Sequence, residues 1–430
     1  MYKKTAIATL SLLLIFSHTV FSQKKLNSPY SRFNIGTLEP QGSYKSRAMG
    51  GIGVAMRDNS TIYYMNPASY SSLDTNSFTF DFGFDLGFSS LKQGDEKASS
   101  KDMNFNHLIM GFPLAKKWGM AIGLVPVSHG YYNIAKVSAA GDADYDSVAG
   151  SYSSSYKGSG NFSKAFVGTG ANIYKGLSVG VNMTVMFGTL TRNSSIEFAD
   201  LSSTYQTTTK ESMGVFGINF DVGLQYAAKI KDDYFLNAGL ALVSEKSYKS
   251  KYTHFSAIDF YAATGFLQDT LINIEDSSMP VKLPNMYKAG VAFGKTNKFV
   301  VGVDFAITPW SDANIPGPNS YVADSKTLSI GAEFIPEWYS AANIFRRLEY
   351  RAGAHIGDNY LSINGSQIKE KGASFGVGIP LRRTLSKINL FVDYSQRSGA
   401  ESARLHEENV LTVGGSLNLH DFWFFKRRYN

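Results

Sequence analysis

Residues 77–88 read Ser-Phe-Thr-Phe-Asp-Phe-Gly-Phe-Asp-Leu-Gly-Phe, the clearest example of the pattern that decides the fold of this chain. Successive side chains of a β-strand point to opposite faces, so one face would be almost all Phe and the other acidic and small. In a water-soluble protein the Phe face would form the core. In an outer-membrane barrel the Phe face would contact lipid, and Asp81 and Asp85 would face the lumen. One strand fits both structures, so repetition along the chain has to decide between them.

The apolar alternation recurs as far as the C-terminus, in segments bounded by clusters of Gly, Asn, Asp and Ser. A strand of about ten residues, tilted by about 40°, spans about 25 Å, which is the height of the apolar band of an outer-membrane barrel. The pattern therefore predicts an all-β fold, a 14-stranded antiparallel transmembrane β-barrel over residues 77–419. The alternation at 103–114 is ambiguous, so its phase stays open. The fourteen predicted strands are 77–88, 103–114, 118–132, 161–173, 176–192, 211–228, 233–246, 283–294, 297–309, 325–336, 348–358, 370–381, 386–397 and 408–419.

The connections between these segments alternate in length, which independently favours a barrel. Bacterial barrels have short periplasmic turns and longer external loops, and an even strand number places both chain ends on the same side. We therefore predict that both ends of the mature chain lie in the periplasm. The short turns are 115–117, 174–175, 229–232, 295–296 and 382–385, with a longer one at 337–347, and the long connections are 89–102, 133–160, 193–210, 247–282, 310–324, 359–369 and 398–407.

The two ends of the chain indicate export. Residues 1–22 resemble a signal peptide, because Lys3 and Lys4 precede a short apolar run and cleavage is acceptable before Gln23. Removing this segment lowers the formal net charge from +7 to +5, since it carries two lysines and no acid. The sequence therefore predicts an outer-membrane protein of a Gram-negative cell, ending in a basic aromatic periplasmic tail at 420–430. The chain has no Cys, which excludes disulfides, thiolate metal ligands and Cys nucleophiles.

Residues 23–76 do not alternate and are rich in Gly, Ser, Tyr and Asn, so they cannot form a strand of the wall. A fourteen-stranded barrel has a lumen large enough to need filling, and such barrels are often plugged. We predict that 23–76 form an N-terminal hatch, or plug, inside the barrel. Its candidate motif combines three glycines with a turn in which Asn precedes Pro. The motif residues are Gly50, Gly51, Gly53, Asn66, Pro67 and Ala68.

The stretch Arg47-Ala48-Met49-Gly50-Gly51-Ile52-Gly53-Val54-Ala55, followed by Arg57-Asp58-Asn59 and by Tyr64-Met65-Asn66-Pro67-Ala68, resembles the hatch region of the FadL/TodX family. That family comprises outer-membrane transporters of long-chain fatty acids and hydrocarbons. The resemblance implies a hatch-plugged barrel of fourteen strands, in agreement with the strand count. The opening Ser28-Pro29-Tyr30-Ser31-Arg32-Phe33 is similar to FadL-like proteins of the Bacteroidetes type.

If the Phe face contacts lipid, the lumen receives a set of ionisable side chains that must be solvated or paired. The hatch offers Arg47, Arg57 and Asp58 as counter-charges. We predict ion pairs that anchor the hatch to the wall, and the alternative is a direct role in binding a substrate or an ion. The predicted lumenal residues of the wall are Asp81, Asp85, Asp221, Asp304, Glu333, Arg351 and Asp393.

Pro126 lies inside the third predicted strand, where a proline cannot donate a ladder hydrogen bond. In FadL-like transporters a kink in the third strand opens a lateral passage for the apolar substrate. The resemblance therefore implies a lateral opening at Pro126, and the alternative is that the strand simply ends there.

Two functions remain open from the sequence. One is passive uptake of hydrophobic small molecules, of the long-chain fatty acid or hydrocarbon class, with outer-membrane lipid and the ligand as partners. The other, which the resemblance to Bacteroidetes-type proteins implies, is a non-transport subunit of an outer-membrane secretion or barrel-assembly complex with a protein partner. The seven His are scattered and no catalytic arrangement stands out, so the sequence predicts no enzyme activity, no metal, no cofactor and no nucleic-acid partner.

Overall fold

A computed structural model describes residues 28–422, apart from residues 143, 144, 146, 148, 149, 199–203, 232, 263, 264, 317–320, 341, 342, 382, 383 and 401–404. The predicted signal peptide at 1–22 lies outside the described residues. So does the predicted basic tail from residue 423 onward, while residues 420–422 belong to the last strand.

Within the described residues the fold is a closed antiparallel barrel whose wall contains fourteen strands. The last wall strand pairs with the first, from Glu407 opposite Lys92 to Phe422 opposite Ser77. This pairing closes the ring of strands and removes the two free edges of an open sheet, whose unpaired backbone groups would be costly in lipid. Besides β1 (Thr37–Leu38), which belongs to the N-terminal segment, the β segments are β2 (Ser77–Gln93), β3 (Glu96–Ala115), β4 (Trp118–His129), β5 (Tyr132–Ser138), β6 (Tyr152–Tyr174), β7 (Leu177–Phe198), β8 (Thr204–Lys229), β9 (Tyr234–Val243), β10 (Lys246–Ala262), β11 (Gly265–Leu283), β12 (Met286–Lys295), β13 (Phe299–Thr308), β14 (Ser325–Phe334), β15 (Glu349–Ile363), β16 (Ser366–Pro380), β17 (Lys387–Ser398) and β18 (Glu407–Phe422).

Three wall strands each consist of two consecutive segments. β4 and β5 both pair with β6 and form the third wall strand. β9 and β10 both pair with β8 and form the seventh, while β11 and β12 pair with them from the other side and form the eighth. With these three joined, the fourteen segments predicted from the alternation correspond to the fourteen wall strands.

Helices are few and short in the described chain. There are 3-10 helices at Pro29–Arg32, Pro67–Ser72 and Trp310–Asp312, and α-helical turns α1 (Tyr44–Arg47) and α2 (Ile344–Arg347). No helix among the described residues has the length and apolarity needed to cross a membrane.

The orientation of β2 confirms the barrel alternative for residues 77–88. Phe84 and Leu86 are 45% and 42% exposed, whereas Asp81 and Asp85 are 2% and 6% exposed. The apolar face therefore points outward and the acidic face points inward, opposite to the arrangement in a water-soluble sandwich. Outward Val, Leu, Ile and Phe side chains on the other wall strands follow the same rule.

A β-bulge explains why the phase of 103–114 could not be read from the sequence. Gly83 pairs with His107, but the next residue, Phe84, pairs with Phe105, so Asn106 is an extra residue in β3. Asn106 and His107 are both buried. One extra residue shifts all later side chains to the opposite face, so the alternation changes phase in the middle of the segment.

The predicted long loops need correction, because much of their length is β-strand. The predicted loop 89–102 is the end of the β2–β3 hairpin, and most of 247–282 belongs to β10 and β11. Large parts of 133–160 and 193–210 likewise belong to β5, β6, β7 and β8. The alternation had marked only the apolar band, since beyond the band outward side chains are no longer required to be apolar.

The fold makes a prediction about topology, and the absence of native Cys allows it to be tested with single cysteines. Ala140 follows β5 on the long-connection side, and Lys116 lies in the short β3–β4 turn, both exposed. In intact cells a membrane-impermeant maleimide should label Ala140→Cys and should label Lys116→Cys only after the outer membrane is permeabilised. The reverse pattern would invert the topology.

Candidate functional site

The candidate site is the region where residues 28–76, the N-terminal segment, contact the inward-facing side chains of the wall. Its apolar residues pack against different strands around the barrel. Met49 and Ile52 form a buried cluster with Ala292 and Val300, from β12 and β13. On β3, Ile109 packs in another cluster that contains Ile62, Tyr70 and Leu73. The segment therefore has its own core, shared with the wall.

Asn66 of the predicted Asn-Pro-Ala motif joins the N-terminal segment to β8 and β9. Its side-chain oxygen accepts a hydrogen bond from the Ala68 N–H at 3.1 Å and caps the 3-10 helix that begins at Pro67. Its Nδ2 group donates to the carbonyls of Val54 at 2.8 Å, Leu224 at 3.2 Å and Leu240 at 3.2 Å. Asn66 is fully buried, so each of these bonds replaces water that the side chain has lost.

Glycine in β8 permits this close contact. A Cβ at Gly223 would lie 2.0 Å from the Asn66 side-chain oxygen, so a larger residue at this wall position would displace the motif.

The glycine part of the motif presents backbone N–H groups to the wall. Asp304 of β13 accepts hydrogen bonds from the Gly53 N–H at 2.6 Å and the Val54 N–H at 2.8 Å. The Gly50 N–H donates to the Ser374 hydroxyl of β16 at 2.9 Å. Gly50 and Gly51 adopt φ values of +68° and +90°, a left-handed backbone that glycine accepts without strain.

Arg47 forms a buried ion pair with the wall. Its Nη1 atom lies 2.9 Å from Oδ2 of Asp85 on β2, and the Tyr44 hydroxyl donates to the same carboxylate oxygen at 3.0 Å. The guanidinium also lies over the ring of Phe391 on β17, 4.7 Å from its centroid. Asp81, four residues before Asp85 on β2, lies 3.3 Å from Nε2 of His107.

A second group of charges runs from the N-terminal segment into β14 and β15. Lys45 Nζ lies 2.7 Å from Asp58 and 3.2 Å from Glu333. Glu333 pairs in turn with Arg351 at 2.7 Å. Arg351 also binds Glu349, whose other oxygen lies 2.6 Å from Lys387.

Among the described residues, this arrangement links Arg351 to the N-terminal segment through Glu333. Three members of this group were not predicted from the sequence: Lys45, Glu349 and Lys387. Glu349 and Lys387 lie at strand ends, and Lys45 precedes the glycine motif.

Asp58 and Lys45 stabilise each other's charge within the N-terminal segment. Burial alone would raise the pKa of the Asp58 carboxyl, but the Lys45 and Lys387 ammonium groups, with hydrogen bonds from Lys45 and the Ser60 N–H, together hold that pKa well below its usual range. Burial alone would lower the pKa of Lys45, but Asp58 and Glu333 raise it well above its usual value. Both groups are therefore ionised at neutral pH, and removing either would leave a buried charge unpaired.

The remaining predicted residues have other partners. Arg57 donates to the Gln225 amide oxygen at 2.9 Å and to the hydroxyls of Ser71 and Ser178, and within the described residues it contacts no carboxylate. Asp221 lies 3.5 Å from Lys164, a wall residue rather than a hatch residue. Asp393 lines a cavity described next. The expected pairing of Arg57 with lumenal acids is therefore wrong, whereas Arg47 does pair with one.

A cavity of about 300 Å³ lies between the N-terminal segment and the wall. Both signs of charge line it. The acidic side chains include Asp304, Glu370 and Asp393, and the basic ones include Arg47, Lys288 and Arg397. Among its lining groups, Arg397 lies 3.0 Å from Glu370 and also reaches Glu408 at 3.5 Å. Apolar residues such as Leu38, Val54 and Met65 also line the cavity, so it presents both charged and apolar surface.

The pairing between β3 and β4 ends close to Pro126. β3 and β4 pair only as far as Leu108 opposite Leu124, and beyond that point β4 pairs with β6 and with β1 of the N-terminal segment. The register of β4 against β6 shifts between Pro126 and Ser128. Ser128 then donates through its hydroxyl to the Ile35 carbonyl at 2.7 Å. The third wall strand therefore leaves its neighbour at Pro126 and turns toward the N-terminal segment.

Comparison with known proteins places the chain in a family. A family model described as BamG matches residues 1–430, which is the whole chain. The chain belongs to the BamG family. A search of curated protein sequences gives no match. The FadL/TodX resemblance seen in the motif is therefore not the family assignment, and an origin in Bacteroidetes stays a prediction.

BamG proteins such as this one can be compared with solved outer-membrane barrels of similar fold. The Ralstonia pickettii toluene transporter TbuX aligns with a TM-score of 0.56 at 14% identity, over 89% of this chain and 98% of that chain. The P. putida toluene transporter TodX aligns with a TM-score of 0.56 at 16% identity, over 90% of this chain and 100% of that chain. A Pseudomonas aeruginosa FadL homologue aligns with a TM-score of 0.56 at 10% identity, over 88% of this chain and 99% of that chain. At these identities the comparison confirms a FadL-type fold and leaves function open.

The contacts of Asn66 make a prediction about stability. Asn66→Asp keeps the oxygen that caps Ala68 but replaces a donor with an anionic oxygen that faces three carbonyls. We expect a loss of about 2–4 kcal/mol in the free energy of unfolding, since buried acceptors lose their donor and a charge is buried without a partner. Urea unfolding of both proteins in detergent micelles measures this difference in the free energy of unfolding.

The matched control is Asn273→Asp, the same substitution at an exposed position of β11. It should change the free energy of unfolding by less than about 0.5 kcal/mol. Equal effects of the two variants would contradict the role assigned to Asn66.

Proposed function

We propose that this protein is a non-transport subunit of an outer-membrane secretion or barrel-assembly complex in a Gram-negative cell. The observation that carries the proposal is the charged cavity between the N-terminal segment and the wall. Its carboxylates and guanidinium groups occupy the space that an apolar ligand would have to cross.

The energetics of transfer support this choice. A hydrocarbon chain gains about 25 cal/mol for each Å² that it moves from water into an apolar environment. Beside Asp304, Glu370 and Arg397 that gain is partly offset, because the chain would displace water that solvates these charges. The charged part of the lining thus weakens the driving force that a passive channel for apolar molecules needs.

The bonding of the N-terminal segment supports a closed lumen. Arg47 binds β2, Asn66 binds β8 and β9, and Gly53 binds β13. These contacts lie on separate sides of the barrel, so the segment acts as a plug that is fixed to the wall rather than as a gate hinged on one side. A plug of this kind stiffens the barrel and makes it a suitable scaffold for a protein complex.

Membership of the BamG family also favours the second of the two functions predicted from the sequence. The family name points to a protein partner, whereas the FadL-type neighbours share only the fold at 16% identity or less.

Purification from the native outer membrane tests the proposal. An affinity-tagged chain extracted in mild detergent should elute with at least one other outer-membrane protein at a constant ratio, measured by size-exclusion chromatography and quantitative mass spectrometry. Depletion of the chain should lower the amounts of other outer-membrane barrels. A chain that elutes alone, and whose depletion lowers only fatty-acid uptake, would refute the proposal.

Uptake of hydrophobic molecules is the second candidate, and the gap between β3 and β4 at Pro126 is the observation that favours it. If the gap is a lateral exit, Pro126→Val should restore a backbone donor and reduce uptake of a labelled long-chain fatty acid several-fold. Pro113→Val, in the paired part of β3, is the matched control and should leave uptake unchanged. Wild-type uptake no higher than in cells lacking the protein would exclude this candidate.

A further inference from the structure

The hairpin of β10 and β11 extends beyond the apolar band of the barrel. On β8 the outward exposed residues are apolar from Phe216 to Tyr226, which marks the band. β10 pairs with the part of β8 that precedes the band, from Val215 opposite Ser250 to Thr204 opposite Tyr261. The hairpin therefore stands in water, on the side of the long connections.

β11 has one edge without a neighbouring strand. It pairs with β10 from Leu283 to Gly265. Among the described residues, the only β-bridge on its other side joins Lys282 to Asn314, at the base of the hairpin. Residues 267–279 therefore present about 40 Å of strand edge whose outward backbone N–H and C=O groups can pair with another strand.

The side chains of this edge are both apolar and acidic. Leu271 and Ile274 are 54% and 50% exposed, and Leu267 and Ile272 are also exposed. Asp269, Glu275 and Asp276 lie among them, and residues 266–281 contain no Lys or Arg. Glu275 pairs with Lys251 at 3.1 Å, but both side chains are 65% exposed, so this contact hardly offsets the negative charge of the edge.

This composition selects the kind of strand that the edge accepts. A second copy of β11 would place acids opposite acids, which is unfavourable in a strand pair. An extended segment with Lys or Arg between apolar residues would pair its backbone with β11 and its charges with Asp269, Glu275 and Asp276. Pro280 near the base of the edge and the bulge at Leu271 limit the registers available.

The geometry points to strand addition at residues 267–279: this edge of β11 binds an extended, basic segment of a partner protein on the long-connection side of the membrane. The inference rests on the proposed function, because it names the surface through which the subunit joins its complex. Main-chain hydrogen bonds supply the binding energy and the acidic side chains supply the specificity.

Hydrogen exchange on the assembly purified from native outer membranes tests the inference. Amides in 267–279 should exchange at least about tenfold more slowly in the assembly than in the isolated chain, because strand pairing protects them. The edge of β3 at residues 96–99 is the internal control, since within the described chain it pairs with β2 and the pairing of β3 with β4 stops at Leu108. Its exchange should not change.

A charge variant provides the second measurement. Leu271→Lys combined with Ile274→Lys places two bases on the acidic edge and should reduce the co-purified partner at least about tenfold, as loss of about 1.4 kcal/mol of binding would. The matched control is Val137→Lys, which adds a Lys at another exposed position of an extended strand, 67% exposed on β5. Heat-modifiable migration on gels confirms that each variant barrel is folded.

The outcomes separate the inference from the proposed function. An assembly that forms without protection of 267–279, or that survives the double variant unchanged, overturns strand addition and leaves the proposed function standing. A chain that elutes without a partner overturns both. An assembly that contains only copies of this chain also overturns the inference, since the acidic edge is expected to reject itself.

Discussion

The structure depends on one constraint: outward-facing side chains within the apolar band must be apolar, so the polar and charged side chains of the wall point inward. Where the N-terminal segment packs against them and excludes water, these inward groups must find partners. The N-terminal segment supplies several of these, through Arg47, Lys45 and the N–H groups of Gly53 and Val54. Wall and segment therefore stabilise each other, and the chemistry of the lumen follows from this mutual dependence.

How far the sequence could predict the position and partner of a residue depends on which physical constraint acts on that residue. Lipid contact imposes a period of two, so the inward position of Asp81 and Asp85 could be predicted once the alternation at 77–88 recurred along the chain. Where a bulge adds Asn106 the period fails, so the phase of 103–114 stayed open. Where strands continue beyond the band, the predicted long loops were wrong. Side-chain partners depend on three-dimensional placement, which the sequence does not show. The prediction that Arg47 pairs with a wall acid was correct, but the prediction that Arg57 does so was wrong.

The comparison with FadL-type transporters separates the fold from its use. This chain shares their barrel at low identity, with a register shift in the third wall strand after Pro126, and charged side chains line part of its cavity. One architecture can support different roles, and the role that we propose for this chain is not transport. The water-exposed hairpin of β10 and β11 then becomes the informative surface, because it has an unpaired edge outside the membrane.

The central claim is that the N-terminal segment closes the lumen, and single-channel conductance in planar bilayers tests it most directly. The wild-type barrel should show no steady conductance, and a variant lacking residues 28–68 should open a large, stable channel once its folding has been verified by heat-modifiable migration. A wild-type barrel that conducts, and whose conductance is unchanged by the deletion, would contradict the claim.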